Sequence, residues 1–480
     1  MLDIKIVPSE VKGLPEKERN MLSELVKIYN RHSSKNDLKD RYYEGRISLR
    51  EVNLGIALPQ GMAGLEIGCA WGAKTVDVLA SRSMFDGFVG EHGENVADLE
   101  RIAADNNLIA EYMKACRDEL KYGCTFATLS ADSAIRCKIR FHSPKSAAAK
   151  WDGEKGRICY GMAVIDTVSD NDETNWMPSV VNLYTDDAIW VLRKENYIWT
   201  AKAWPHRMGR PLMEALIWNP TTGKPFGRSR IKEPIRRLIQ GYVRTIANAT
   251  IGLEFATAPQ KYLMGVTDDQ YEKIVNEKFK QYVGSIIAST TNPETGQNPS
   301  FGQLPQGTIQ PHVEMLRVLA TQFSAATGLT VTDTGVVNDA NPTSADAVLA
   351  QSQTLVSMAE QLNTGNGHAL KTIALMALAI ANSSSLDSLS DEQRDVVAHF
   401  KNPAMPSVSV TADAAIKIAS ARQEFASTDV FMEMIGFDQA DIRRIKAQEQ
   451  RVRGMNLITS EIAGQEVPEE PEEPEETATE

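Results

Sequence analysis

Residues 64–80 read GLEIGCAWGAKTVDVLA, and this glycine-rich stretch decides between two folds. Glycines at 64, 68 and 72 interrupt an otherwise mostly apolar run, and an acidic residue precedes the second of them. This pattern is typical of a loop that joins a buried strand to a helix and binds a nucleotide. It is equally typical of a helix whose small residues let a neighbouring backbone come close. The residues on either side distinguish the two structures.

The first structure would be that of an S-adenosylmethionine-dependent methyltransferase. Its motif is E-x-G-x-G-x-G; Glu66, Gly68 and Gly72 fill three of the four fixed positions, and Ala70 occupies the other. The preceding residues, NLGIALPQGMA, contain a proline and glycines where a methyltransferase needs a buried strand. The methyltransferase therefore stays the unfavoured alternative. We expect instead a helix over 66–82 that packs Trp71, Val76, Val78 and Leu79.

The first 220 residues divide into a helical part and a β-rich part. Apolar residues at helical spacing predict helices over 16–35 and 37–49, with a turn at Gly45. The segment after 64 is predicted to stay helical as far as 121, with one helix over 66–82 and another over 95–121. From about 124 to 220 the spacing changes to short alternating runs, which predict strands. No helix separates these runs, so we expect an antiparallel sheet.

After Gly227 the pattern becomes helical again. A helix over 234–255 and a second that ends at Gly328 enclose a small α/β insert, and a long helix follows Asn341 as its N-cap. We expect this long helix to be interrupted at Gly365 and Gly367. The apolar stripe predicted on the 234–255 helix is Ile235, Ile239, Tyr242, Ile246, Ala249 and Leu253.

Composition and charge exclude several kinds of protein. The five cysteines form no C-x-x-C pair and the histidines are scattered, so we expect neither a metal site nor a cofactor. The longest apolar run, 372–381, is too short to cross a bilayer. Of the net charge of −12, −8 lies in the glutamate-rich last sixteen residues, which leaves −4 for the rest. A nearly neutral body with one basic stripe, 228–261, is unlike a sequence-specific DNA-binding domain.

Several stretches, in order, resemble the portal proteins of long-tailed double-stranded-DNA bacteriophages. They are DRYYEGRISLREVNLGIALP, WGAKTVDVLASRSMFDGF, NPTTGKPFGRSRI, APQKYLMG, NPTSADAV, FKNPAMPSVSVTADAAIKI and EMIGFDQADIRRIKAQEQR. Each motif alone is weak, but together they cover most of the chain at matching intervals. In this resemblance Trp71, Val76, Asp77 and Leu79 fall on positions of a family helix rather than on a cofactor loop.

The resemblance implies an α+β portal fold with a mainly helical stem and crown and a β-rich wing, assembled as a dodecameric ring around a central DNA channel. It divides the chain into wing (1–228), first stem helix (229–257), clip (258–310), second stem helix (311–328), tunnel loop (329–342), long kinked helix of wing and crown (343–382), C-terminal wing and crown part (383–464) and disordered acidic tail (465–480).

The implied function is structural, not enzymatic. The ring would occupy one capsid vertex of the virion, assemble in the host cytoplasm, pass double-stranded DNA without sequence specificity, and contact the terminase large subunit, the major capsid or scaffolding protein and a head-tail adaptor. A different head or adaptor protein of the virion remains an alternative.

The expected DNA-facing residues lie on the tunnel loop and the first stem helix. A loop of about a dozen residues without regular structure is uncommon unless it is functional. The tunnel-loop candidates are Thr332, Asp333, Thr334, Gly335, Val336, Val337, Asn338 and Asp339, and the stem candidates are Arg237, Arg244 and Asn248. The two aspartates would repel phosphate, which suits a channel in which DNA has to slide.

Overall fold

The computed structural model describes residues 4, 6–47, 67–90, 97–169, 176–257, 261–265, 291, 296, 298, 300–303, 308–335, 345–404, 408–437 and 439–463. The chain divides into two compact units, Met1–Pro403 and Ala404–Glu480, and each is described by itself.

The first unit begins with one long helix, α1, at Glu16–Tyr43. Two separate helices were predicted here, and that prediction is wrong because the polar segment around Asn36 continues the helix. Asn36 is buried, and its amide lies 3.5 Å from the carbonyl oxygen of Pro144. The predicted turn is confirmed at Gly45, which has a φ of 71°.

The region after residue 64 is not continuously helical. Helix α2 (Trp71–Ala80) is followed by strand β1 (Phe85–Gly90) and then by helices α3 (Ala97–Asp105) and α4 (Leu108–Tyr122). The single helix predicted over 95–121 is split because Asn107 adopts a left-handed φ of 48°. Asparagine tolerates that conformation better than most residues.

Two antiparallel sheets form the β-rich part, as the alternating runs predicted. The strands are β2 (Cys124–Asp132), β3 (Arg136–His142), β4 (Ala147–Asp152), β5 (Arg157–Ser169), β6 (Trp176–Tyr184), β7 (Ala188–Glu195), β8 (Ile198–Pro205) and β9 (Met213–Ile217). One sheet has the order β3-β2-β9 and the other the order β4-β5-β6-β7-β8. Every pair of neighbouring strands in them is antiparallel.

Helices α5 (Glu233–Thr257) and α6 (Gln310–Thr327) pack against each other and match the two helices predicted there. Between them the described residues include strands β10 (Lys261–Met264) and β11 (Ser300–Gln303), which pair antiparallel. The helix and strand predicted over 268–289 lie outside the described residues.

Helix α7 runs without a break from Ala345 to Ala381. The interruption predicted at Gly365 and Gly367 is therefore wrong. Burial explains the continuity, because Asn366 between the two glycines and Leu370 one turn later are fully buried. The packing of this helix on β2, β3 and β9 outweighs the cost of about 1 kcal/mol that each glycine adds to a helix interior.

A short helix, α8 (Asp391–Arg394), and strand β12 (Val396–Phe400) complete the first unit. Strand β12 pairs antiparallel with β1, and the pairing aligns Phe85 with Phe400. Tyr112 of α4 packs within 5.8 Å of both phenylalanine rings, measured between centroids. This small sheet joins segments from the two ends of the unit.

The second unit contains helices α9 (Val408–Ala421), α10 (Asp429–Ile435) and α11 (Gln439–Ala463). The side chain of Thr428 caps α10 by accepting a hydrogen bond from the backbone N–H of Phe431 at 3.3 Å, and Gly436 ends this helix at a φ of 107°. The predicted acidic tail, 465–480, lies outside the described residues. Among the helices that the structure describes, none is both long and apolar enough to cross a membrane.

Candidate functional site

The proposed tunnel loop begins where α6 ends at Gly328, which has a φ of 74°. A short 3-10 turn, Thr332–Thr334, follows and ends at Gly335 with a φ of 80°. The first half of this segment therefore has regular structure, although the sequence predicted none.

Hydrogen bonds between side chain and backbone hold this turn. The Oδ2 atom of Asp333 accepts hydrogen bonds from the backbone N–H of Thr330 at 3.0 Å and from the Thr330 hydroxyl at 2.8 Å. The hydroxyl oxygens of Thr330 and Thr332 lie 2.7 Å apart. The Asp333 carboxylate thus acts as a local cap and stays partly accessible.

Trp71 connects the turn to three helices. Its ring packs on Phe323 of α6 and Tyr242 of α5, with centroids 4.5 Å and 4.6 Å away. Its Nε1–H donates a buried hydrogen bond of 3.1 Å to the backbone oxygen of Thr334. The indole therefore joins α2, α5 and α6 to the end of the turn.

Arg230 holds the start of the same segment. Its Nη2 donates a hydrogen bond of 2.7 Å to the carbonyl oxygen of Thr327, and its Nε donates one of 2.6 Å to the carbonyl oxygen of Thr75. Its guanidinium also lies 5.6 Å from the centroid of the Trp218 ring. Burial lowers its pKa to about 10, so the group stays charged at neutral pH. A cation next to the carbonyl end of α6 is stabilised by the helix dipole.

The glycine-rich stretch quoted first has a packing role at Gly72. A Cβ atom at this position would lie 1.9 Å from the backbone oxygen of Tyr42, at the end of α1. Any side chain would therefore push α1 and α2 apart. The nearby Cys69 is buried, and burial raises the pKa of its thiol to about 11. Both observations favour the packed-helix interpretation of residues 67–80 over a cofactor loop.

The stem candidates recur at helical spacing along one side of α5. Arg237 is exposed and pairs with Glu233 at 3.3 Å, while Arg244 and Asn248 are half-buried. Gly241, between them in sequence, faces α6, since a Cβ there would lie 3.1 Å from Cδ2 of Leu319.

The apolar stripe predicted on α5 is only partly right. Ile235 and Ile239 are buried as expected, but the buried row continues through Val243 and Ala247 at a spacing of four. Leu253 is 45% exposed. A spacing of four follows the i±4 ridge of a helix, whereas a heptad seam alternates steps of three and four.

The tunnel-loop candidates that the structure describes differ in their exposure to solvent. Thr332 and Gly335 are exposed and Asp333 is partly so. Thr334 is buried inside the subunit and does not fit the expectation of a DNA-facing side chain. Val336, Val337, Asn338 and Asp339 lie outside the described residues.

Sequence reasoning missed Arg230 and the hydrogen bond from Trp71. Arg230 belongs to a basic cluster in which Arg228, two residues earlier, is exposed, so no local pattern marks it as buried. In the described part of the chain, no group of histidine, cysteine or acidic side chains is arranged to hold a metal ion.

The family model described as "Phage portal protein, SPP1 Gp6-like" matches residues 22–455. The chain belongs to this family. The identification as a portal protein made from the sequence is thus confirmed, and the methyltransferase alternative is excluded. Portal proteins are structural proteins, and the antiparallel sheets described above agree with an α+β portal fold.

Chains in three solved structures are similar to this portal protein. The first comes from the virion of a native gene transfer agent (GTA) particle; it is 11% identical, has a TM-score of 0.44, and the match covers 76% of this chain and 89% of that chain. The second comes from the neck of an empty GTA particle computed with C6 symmetry; it is 12% identical, has a TM-score of 0.43, and the match covers 80% of this chain and 95% of that chain. The third comes from the neck of a native GTA particle computed with C12 symmetry; it is 12% identical, has a TM-score of 0.43, and the match covers 82% of this chain and 98% of that chain. A comparison with curated proteins gives no match.

Proposed function

We propose that this portal protein forms a ring of twelve subunits at one vertex of a phage capsid, and that double-stranded DNA enters and leaves through the centre of the ring. The observation that carries the proposal is the family match over residues 22–455. The paired helices α5 and α6 are connected by the insert, and the loop segment follows α6; the two helices supply the stem of such a ring.

Apolar side chains on the outer side of α6 support assembly. Met315 and Val318 lie three residues apart, and therefore on one side of the helix, and they are 47% and 49% exposed in the single subunit. Large apolar side chains grouped on one exposed helix side mark a surface that a partner covers. The neighbouring subunits of the ring are the proposed partners at this surface, because a closed ring repeats one contact around its axis.

The charge of the loop segment suits passage of DNA. Between Gly328 and Gly335 the only charged residue is Asp333. Each phosphate that a lysine or arginine neutralises adds to a salt-dependent attraction that would hold the duplex in place. An acidic turn instead allows contact without strong binding.

Further partners follow from the domain arrangement proposed above. The clip, 258–310, would dock the terminase large subunit and later the head-tail adaptor, and the wing would contact the capsid or scaffolding protein. Arg237, Arg244 and Asn248 would face DNA on the stem, with Thr332, Asp333, Gly335, Val336, Val337, Asn338 and Asp339 on the loop. The portal would be built in the host cytoplasm and remain in the virion.

The test is the double variant Asp333→Lys/Asp339→Lys. Two lysines in each of twelve subunits should raise the affinity of the ring for DNA and make it depend more steeply on salt, by up to about 0.9 in the log–log slope for each phosphate contacted. Packaging should slow or stall. The measurements are DNA binding against salt concentration and packaging rate, with negative-stain images to verify that rings form.

Two controls separate charge from structure. Asp333→Asn keeps an oxygen that can accept from Thr330 but removes the charge, and it should leave ring structure intact. Glu154→Lys places a positive charge on the exposed turn between β4 and β5, away from the loop. Normal packaging and normal salt dependence in the double lysine variant would show that the loop does not line the channel.

A further inference from the structure

We infer that Arg230 and Trp71 are positioning residues that fix residues 327–334 to the body of the subunit, so that this segment moves together with helices α5 and α6. The inference rests on the proposed function only in identifying this segment as the tunnel loop. The fixed segment 327–334 is called the collar below.

Arg230 fixes the first end of the collar. Its guanidinium connects the carbonyl oxygen of Thr327 to that of Thr75 on α2, and its Nη1 lies 3.5 Å from the sulfur of Met358 on α7. Because the guanidinium is planar and its donors diverge in fixed directions, one side chain can hold these three helices in a set geometry. A lysine could reach only one of the carbonyl groups at a time.

Trp71 fixes the other end. The Thr334 carbonyl is in the interior, and the indole N–H is its hydrogen-bond donor. Leaving such a carbonyl without a donor would cost much of its desolvation energy, so the bond favours the closed position of the turn. The threonine side chain is buried as well, which adds packing to the hydrogen bond.

Gly328, whose backbone is left-handed, lies inside the collar next to its first residue. A Cβ at Gly328 would lie 2.9 Å from Cε of Met358, so this residue is enclosed by α7. This contact packs the start of the collar against α7, and the left-handed backbone of Gly335, at a φ of 80°, marks where the turn ends.

The consequence concerns how the loop responds to the rest of the ring. Trp71 packs on both α5 and α6, and Arg230 binds the last turn of α6. The collar therefore moves with the two stem helices as one body. A change in the position of the stem helices would therefore carry the collar with it.

The experiment is hydrogen exchange of the full-length assembled protein, read on the peptide that contains the amides of Asp333, Thr334 and Gly335. These amides donate to Thr330, Val331 and Thr332, each at 3.1 Å, and should be protected in the wild type. Trp71→Phe keeps an aromatic ring against α5 and α6 but removes the N–H. We expect these amides to exchange on the order of tenfold faster.

Trp199→Phe is the matched control, because Trp199 is also buried but belongs to a separate hydrophobic cluster, formed by the N-terminal segment, α1 and the five-stranded sheet, that does not contain Trp71. It should leave exchange of the collar unchanged. Arg230→Lys is the second variant and should loosen the same amides. If both Trp71→Phe and Arg230→Lys leave collar exchange within twofold of the wild type, while the rings stay folded, the inference is wrong.

A functional measurement accompanies the exchange data. Trp71→Phe rings should package DNA at an altered rate, whereas Trp199→Phe rings should package normally. A fast-exchanging collar combined with unchanged packaging would overturn the positioning role. Normal packaging and normal salt dependence of the Asp333→Lys/Asp339→Lys variant would instead show that the loop does not line the channel. The hydrogen-exchange result would then still describe how the collar is fixed within the subunit.

Discussion

Glu119 is a carboxyl group placed entirely inside the first unit. Its Oε2 accepts a hydrogen bond from the Asn366 amide at 2.8 Å, and the same amide lies 3.0 Å from the Tyr112 hydroxyl, which is 2.7 Å from Ser83 Oγ. The Oε1 atom has no hydrogen-bond partner among the described residues. Burial raises the pKa of Glu119 to about 8, so this side chain is largely protonated at neutral pH.

Protonation of Glu119 makes the stability of the subunit depend on pH. Because its folded-state pKa is raised above the unfolded value near 4.3, the folded state binds the proton more tightly. Its contribution is most favourable below pH 4 and is lost progressively as pH rises to about 8. Glu119→Gln should remove this loss and flatten the curve between pH 5 and 8, as measured by denaturant unfolding of wild type and variant across that range. Parallel curves for the two proteins would show that Glu119 has no raised pKa.

At this scale the sequence predicted the packing residues better than the polar ones. Trp71, Val76 and Leu79 are buried as expected, because large apolar side chains at helical spacing form one side of a helix that packs against the core. Arg230, Glu119 and Asn366 are buried against the usual preference of their residue types. Their partners come from helices distant in sequence, so only the folded chain identifies them.

Helix contacts explain why some glycines are required and others are not. Gly72 lies where α2 meets the end of α1. Gly365 is an exposed residue inside α7, and among the described residues no side chain and no backbone of another element lies within 4 Å of the position that its Cβ would take. Gly72→Ala should destabilise the subunit by about 2–4 kcal/mol through overpacking against the backbone. Gly365→Ala should stabilise it by about 0.5–1 kcal/mol, since alanine favours the helix. Chemical denaturation of both variants measures these opposite signs, and equal effects would contradict the packing argument.

Element types were largely predictable, and their boundaries less so. Periodicity located α5, α6 and most strands, yet it divided α1 and interrupted α7, because local polar and glycine residues suggested breaks that tertiary packing overrides. Strand β4 was missed, since its three alanines lack the branched or aromatic side chains that indicate a strand.

The assembly of the whole molecule depends on surfaces that a single subunit leaves open. Met315→Glu/Val318→Glu places two charges on the exposed side of α6 and should prevent ring formation while leaving the melting temperature of the subunit within a few degrees of the wild type. Lys155→Glu, on the exposed turn between β4 and β5 and away from α6 in the chain, is the control and should still form rings. Native mass and negative-stain imaging report the outcome. Intact rings in the double variant would mean that another surface joins the subunits.

The family and the α+β class could be recognised from ordered motifs, but the strand order could not. Alternation identifies strands without showing which of them are neighbours. The pairing of β1 with β12 has no signal in either segment, because two short strands far apart in sequence can be joined only by the fold between them.

That pairing also has a consequence during synthesis. Residues 85–90 and 396–400 form one sheet, so about three hundred residues leave the ribosome between its two strands. At roughly 5–20 residues per second, β1 waits on the order of 15–60 s for its partner. During this interval Phe85 lacks its cross-strand partner Phe400, whereas its contact with Tyr112 can already form. A subunit also cannot complete its first unit until most of its chain exists, so truncated products would lack a finished surface with which to enter a ring.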